Sequence, residues 1–185
     1  MRARRLPSSI LRMLKADLRK QMRDRKRQFT RQQLEELSLP IVARLRPLLR
    51  DASVVLAYYA LPDEVCIHTL LNGLVAEGKT VLLPRVVDDR TMELCRYSGE
   101  ADLREGAFHI MEPVGQRFAD LSLIDTVLVP GMAFDAQGHR LGRGKGYYDR
   151  LLAGLACRKI GVCFDFQKVP EVPVDAHDIL MDIVV

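Results

Sequence analysis

Apolar residues recur along the chain with two different periods, and the change between them separates an N-terminal helical segment from the rest. Over residues 10–29, Leu11, Leu14, Leu18 and Met22 return at three- and four-residue steps, which predicts a helix with one apolar stripe. Lys15 and Arg19, four apart, share a face beside that stripe. Thr30 is a candidate N-cap for a second helix running to about residue 49, interrupted by Pro40. Beyond it the pattern becomes short apolar runs rich in β-formers. Strands are predicted at 53–59, at 80–83 (stopped by Pro84), at 91–97 (more exposed), at 126–129 (stopped by Pro130-Gly131), at 159–164 and at 179–185. Helices are predicted over 65–77, ending at Gly78, and over 147–155; residues 99–122 and 170–174 read as loops. Strands alternating with helices predict an α/β fold: three layers, a mostly parallel sheet with helices on both faces, and an N-terminal helical segment. One domain over residues 1–185 is expected, with 1–9 as a basic extension. In such sheets ligands bind outside the carboxyl ends of the strands, which is where 61–64, 84–85 and 130–149 fall.

Composition narrows the class. Hydrophobic residues make up 48% of the 185, so a core can be built. No run of about 18 apolar residues is present, which predicts no spanning helix. Arg12, Lys15 and Asp17 break the segment after the basic start, so export is not expected. Cys66, Cys95, Cys157 and Cys163 form no C-x-x-C pair; free thiols in a reducing cytoplasm are expected. Residues 1–31 carry 12 Lys and Arg against two Asp, whereas the remainder carries 16 against 22 acids. Such a basic segment either meets a polyanion or is a solvated helix face.

The densest chemistry lies in Gly138-His139-Arg140-Leu141-Gly142-Arg143-Gly144-Lys145-Gly146-Tyr147-Tyr148-Asp149. Glycines alternating with Arg143 and Lys145 let backbone amides approach an anion, while Arg140, Arg143 and Lys145 supply full charges. That combination suits a triphosphate. It is not a P-loop, because Gly144-Lys145 is followed by Gly146 and His139 stands five before Gly144; G-x-G-x-x-G fails as well. Asp149 either interacts with the helix dipole or holds Mg²⁺ on the same phosphates. His68, His109 and His139 have no partner at metal-ligand spacing and are expected to be structural.

From Pro130-Gly131-Met132-Ala133-Phe134-Asp135 through Arg140 to Asp149, the sequence resembles the 5-formyltetrahydrofolate cyclo-ligase (5,10-methenyltetrahydrofolate synthetase) family. Lys15 and Arg19, the Asp63-Glu64 turn, Leu83-Pro84-Arg85, the segment from Phe108 to Glu112-Pro113, and His177-Asp178 are similar in order and spacing. The resemblance implies an ATP- and Mg²⁺-dependent enzyme that closes the ring of a formylated reduced folate. It implies ATP contacts from Lys15, Arg19, Arg140, Leu141, Gly142, Arg143, Gly144, Lys145, Gly146, Tyr147 and Tyr148, with Arg143 and Lys145 catalytic. Folate contacts are implied for Tyr59, Glu64, Phe108, Arg143, Gly144, Lys145, Gly146 and Tyr147, and metal contacts for Asp149 and Asp178. Arg85 is left open as a substrate contact. The implied partners are small molecules, with no membrane or nucleic acid, and the implied state is a monomer. Two other function classes fit some of the same residues: a catalytically silent relative that binds folate or nucleotide, and an RNA- or polyanion-binding module.

Overall fold

The structure, a computed structural model, describes residues 7–106 and 111–185. Two helices open it, α1 (Ser8–Lys26) and α2 (Arg31–Leu48). Ser8 and Ser9 of the expected extension belong to α1. Thr30 caps α2 as expected: its Oγ1 accepts from Gln33 N at 3.2 Å, and Gln33 Oε1 accepts from Thr30 N at 2.8 Å. A cap of this kind is worth about 1 kcal/mol. Pro40 sits inside α2 without ending it.

The strands are β1 (Val54–Leu56), β2 (Thr80–Val86), β3 (Met92–Tyr97), β4 (Leu103–Glu105), β5 (Met111–Pro113), β6 (Arg117–Phe118), β7 (Thr126–Pro130), β8 (Ala133–Phe134), β9 (Arg140–Leu141), β10 (Arg158–Val162) and β11 (Ile183–Val184). Two further helices are α3 (His68–Ala76) and α4 (Tyr147–Ala153). Seven strands form one sheet in the order β11-β10-β7-β1-β2-β3-β6. Pairing is parallel from β11 to β2 and antiparallel at β3 and β6, so the sheet is mixed and mostly parallel. Two small hairpins, β4–β5 and β8–β9, stand apart from it.

Side chains alternate across the sheet and supply a core on each face. Val55, Val81, Leu83, Leu128 and Ile160 pack under α2 and α3 with Leu45, Leu70 and Leu74. Leu56, Leu82, Val127 and Val129 pack on the other face with Leu152 and Leu155 from α4 and its end. A third cluster seats α1 on the β8–β9 hairpin through Met22, Met132, Ala133 and Leu141. This contact places α1 beside the loop that follows β9.

Several expected boundaries move, each for a local reason. The inward face of α1 uses only part of the apolar stripe: Met22 is buried and Leu18 packs beside it, but Leu14 is exposed, and the other buried residue is Lys26. Lys15, Arg19, Met22 and Lys26, at steps of four, three and four, form the face that turns inward. Strand β2 runs through Pro84 because β1 ends opposite Leu82; beyond it β2 is laddered only by β3, and a proline is tolerated on the open side. The helix expected from residue 65 begins at His68, because Val65 O accepts from Tyr58 Oη and Cys66 N donates to Ser38 Oγ. The strand expected over 179–185 shrinks to β11, since Met181 N bonds to Gly138 O instead. The stretch 99–122, expected as loop, holds the β4–β5 hairpin and β6. Among the described residues no helix is long and apolar enough to cross a membrane.

Candidate active site

The carboxyl ends of β1, β2 and β7 open into a cavity of about 570 Å³, closed on one side by α1 and on another by the loop after β9. That volume lies in the range of about 300–1,000 Å³ usual for small-molecule sites. All three segments expected at strand ends reach it, through Leu61 and Glu64, through Pro84, and through Pro130 onward.

The glycine loop forms the cationic wall. Gly144 and Gly146 have φ of 104° and 70°, a left-handed region that favours glycine. Arg19, reaching across from α1, donates from Nε to Gly142 O at 2.8 Å and so ties the helix to the loop. Burial lowers the Arg19 pKa, with Arg23 adding to the effect and Asp178 and Asp149 opposing it. Arg140 is almost fully buried; its Nη2 donates to Asp149 Oδ1 at 2.7 Å, and its guanidinium lies 5.6 Å from the Tyr148 ring centre. Arg140 Nε is a buried donor with no partner among the described residues, an orphan that a ligand oxygen would satisfy. Lys145 lines the same wall. Lys15 Nζ lies 2.5 Å from Asp178 and 2.9 Å from Asp175.

An acidic turn faces this wall. Glu64 N bonds to Leu61 O, and Glu64 Oε2 accepts from Leu61 N at 3.1 Å, which holds the carboxylate at the rim. Arg143 donates to Glu64 Oε1 from Nε at 3.2 Å and from Nη2 at 3.0 Å, and to Asp63 Oδ1 at 2.7 Å. Burial alone would lower the Arg143 pKa, but Glu64 and Asp63 outweigh it and raise it.

Aromatic and apolar side chains supply the remaining walls. Tyr59 stacks on His68 with ring centres 3.8 Å apart. Tyr147 Oη donates to Asp88 O at 2.9 Å, and Arg150 lies over its ring at 5.2 Å. Tyr148 packs into the core beneath α4, and burial pushes its hydroxyl pKa well up. Arg85 does not line the cavity; alternation along β2 presents Pro84 and Val86 there, and Arg85 pairs with Glu93 at 2.9 Å. Phe108 and His109 lie outside the described residues. His139 is structural as expected, its Nδ1 2.9 Å from Asp135 Oδ2.

The structure therefore gathers Lys15, Arg19, Tyr59, Glu64, the whole run Arg140 to Asp149, and Asp178 around one cavity. Three contributors were given no role in the sequence reading, although Glu112 and Asp135 lie in its motifs. Lys26 donates to Asp63 Oδ2 at 3.1 Å from a buried position. Glu112 lines the wall and accepts from Val86 N at 3.1 Å. Asp135 is buried and accepts from Gln137 N, His139 N and Val172 N, fixing the turn before Arg140. The one visible signal for Lys26 was its spacing from Lys15 and Arg19.

Among the described residues no group of three or more His, Cys, Asp or Glu side chains could hold a metal ion alone. Asp149 and Asp178 face the same cavity as the cations, and one or two carboxylates completed by phosphate oxygens are what Mg²⁺ ordinarily uses. The donor set thus fits a metal that arrives with a nucleotide.

Comparison with known proteins gives a consistent result. The family model described as the 5-formyltetrahydrofolate cyclo-ligase family matches residues 12–185. The chain is 30% identical to the 5-formyltetrahydrofolate cyclo-ligase of Escherichia coli K12, covering 89% of this chain and 95% of that one. It is 26% identical to the mouse protein of the same name, over 95% and 92%. The solution structure of 5,10-methenyltetrahydrofolate synthetase from Aquifex aeolicus superposes with a TM-score of 0.82 at 37% identity, covering 93% of this chain and 89% of that chain. The synthetase from Mycoplasma pneumoniae, at 24% identity, shares the fold with a TM-score of 0.76, over 92% and 97%. With a family match across nearly its whole length and a cavity built from the family-like motif, the chain belongs to the 5-formyltetrahydrofolate cyclo-ligase family.

Proposed function

We infer that the protein converts 5-formyltetrahydrofolate and ATP to 5,10-methenyltetrahydrofolate, ADP and phosphate. The observation that carries this reading is the pairing of a cationic glycine loop with an acidic, aromatic-lined turn across one cavity. Lys15, Arg19, Arg140, Arg143 and Lys145 suit a triphosphate. Glu64, Tyr59 and Tyr147 suit a flat heterocycle with amino donors on its edge.

The formyl group is amide-like, so its carbon is a weak electrophile and its oxygen a poor leaving group. In the proposed reaction that oxygen bonds to the γ-phosphorus as the bond to ADP breaks. The neighbouring bridge nitrogen then adds to the formyl carbon and gives up its proton. The carbon–oxygen bond breaks, phosphate leaves and the ring is closed. Phosphoryl transfer depends mainly on placement and charge, so the chain needs no covalent nucleophile. Arg143 and Lys145, which flank the positive-φ Gly144, are assigned to the transferring phosphoryl. Arg19 and Arg140 hold the loop in place, through Gly142 O and Asp149 respectively. Asp149 and Asp178 would hold Mg²⁺, which when bound lowers the charge on the phosphates. Placement of two reactants together contributes up to about 7–11 kcal/mol.

The polyanion-binding alternative loses support because Lys15, Arg19 and Lys26 turn inward and spend their charge on the cavity and its acids. The test is direct. Purified protein is mixed with 5-formyltetrahydrofolate and MgATP, and the near-ultraviolet band of the methenyl product is followed. A band that grows only with both ATP and Mg²⁺ supports the assignment. A flat trace from folded protein returns the silent-relative alternative.

A further inference from the structure

Arg143 and Glu64 hold each other in the ligand-free protein, yet the proposed function asks each to hold a different substrate. Arg143 faces phosphate; Glu64 faces the amino edge of the folate. Both contacts between them, 3.2 and 3.0 Å, use Oε1 of Glu64. The other oxygen is committed to Leu61 N at 3.1 Å. A ligand donor at this carboxylate thus competes with the guanidinium.

The neighbouring acid is arranged differently. Asp63 has two cations: Arg143 at Oδ1, 2.7 Å, and Lys26 at Oδ2, 3.1 Å. Lys26 is buried, with its side chain 4% exposed, and is fixed on α1. When Arg143 leaves the turn, Asp63 stays paired with Lys26. Glu64 keeps only a backbone amide and becomes an open acceptor.

Resting on the functional reading above, we propose that Arg143 is a shared latch: nucleotide phosphate draws it from the acidic turn, Lys26 keeps Asp63 neutralised, and freed Glu64 then takes the folate. The two substrates therefore bind cooperatively, each raising the affinity for the other by the same factor. Lys26 is a positioning residue in this scheme. It never meets substrate, and it makes the departure of Arg143 less costly. Burial lowers the Lys26 pKa while Asp63 opposes that, and burial raises the Asp63 pKa while Lys26 and Arg143 outweigh it. These directions agree with a carboxylate that two cations share.

Calorimetry on the full chain tests the latch. Binding of 5-formyltetrahydrofolate is titrated alone and with saturating Mg²⁺ and a non-hydrolysable β,γ-methylene ATP. The expected result is an affinity at least about 5-fold higher with the nucleotide analogue. In Arg143→Met the factor falls toward one, and folate binds the nucleotide-free variant at least as tightly as it binds the nucleotide-free wild type. Lys26→Met reduces the factor and Lys26→Arg restores it; a thermal melt establishes that each is folded, and Arg143→Met decides the matter if Lys26→Met is not. A wild-type protein that binds both ligands with a factor of one overturns the latch. So does a factor unchanged in Arg143→Met. Absence of folate binding under every condition instead overturns the functional reading on which the latch rests.

Discussion

Arg140 and Asp149 close the glycine loop on itself. Nη2 of Arg140 lies 2.7 Å from Oδ1 of Asp149, nine positions further along the chain, and the guanidinium is buried. A side chain at Gly142 would come within 3.0 Å of Arg140 Nη1, and one at Gly131 within 3.1 Å of Arg140 Cγ, so glycines frame the arginine. Arg140→Leu removes the donor and leaves Asp149 without its cation. It is expected to cost about 1.5–3 kcal/mol and to raise KM for ATP. A urea midpoint and KM both equal to wild type would remove Arg140 from this role.

Lys15 stands between Asp175 and Asp178, and in the proposed function it trades them for phosphate. Lys15→Met is expected to raise KM for ATP about tenfold, the equivalent of about 1.4 kcal/mol, with a smaller change in kcat. Steady-state kinetics at saturating folate make the measurement. A loss confined to kcat would place Lys15 at the transition state instead.

Asp135 gives the stability a dependence on acid. Burial raises its pKa, but hydrogen bonds from Val172 N and from His139 outweigh that and hold it below the usual range. A depressed carboxyl stabilises the fold above its unfolded pKa of about 3.9, and the contribution is lost as pH falls through the lower folded value. Urea midpoints between about pH 6 and pH 3 should fall at the acid end in the wild type and fall less in Asp135→Asn. Equal slopes for the two proteins would count against it.

Cys66 is expected to be the most reactive thiol. A hydrogen bond from His68 lowers its pKa, whereas burial raises those of Cys95, Cys157 and Cys163. Cys95 and Cys163 are also buried from reagent. Limited iodoacetamide followed by peptide mass spectrometry should label Cys66 first, and more slowly in His68→Gln. First labelling at Cys157 would refute the ranking.

Much of the sheet was legible because each buried strand is a compact apolar run ended by a turn. β1, β7 and β10 were found within a few residues. What the local pattern hid was set by distant partners. β2 passes Pro84 only because β1 stops at Leu56, and α3 starts late only because Tyr58 and Ser38 claim the preceding backbone. Strands of two or three residues, such as β4, β5 and β6, carry no period to read. The glycine loop announced a cationic cavity wall by composition. Lys26 did not: a lysine among eleven other basic residues of the first 31 looks solvated until Asp63 is placed beside it.

The distance in sequence between Lys15 and its acids, 160 residues to Asp175 and 163 to Asp178, bears on how the protein is made. At synthesis rates of about 5–20 residues per second, roughly 10–30 seconds separate the emergence of α1 from that of its counter-charges. Through that interval the helix carries its cations on a half-built sheet. A nascent chain that lacks this stretch can pair its strands from β1 to β10 but has neither β11 nor the acids that face Lys15, so the cavity wall is complete only once residues 175–184 have emerged.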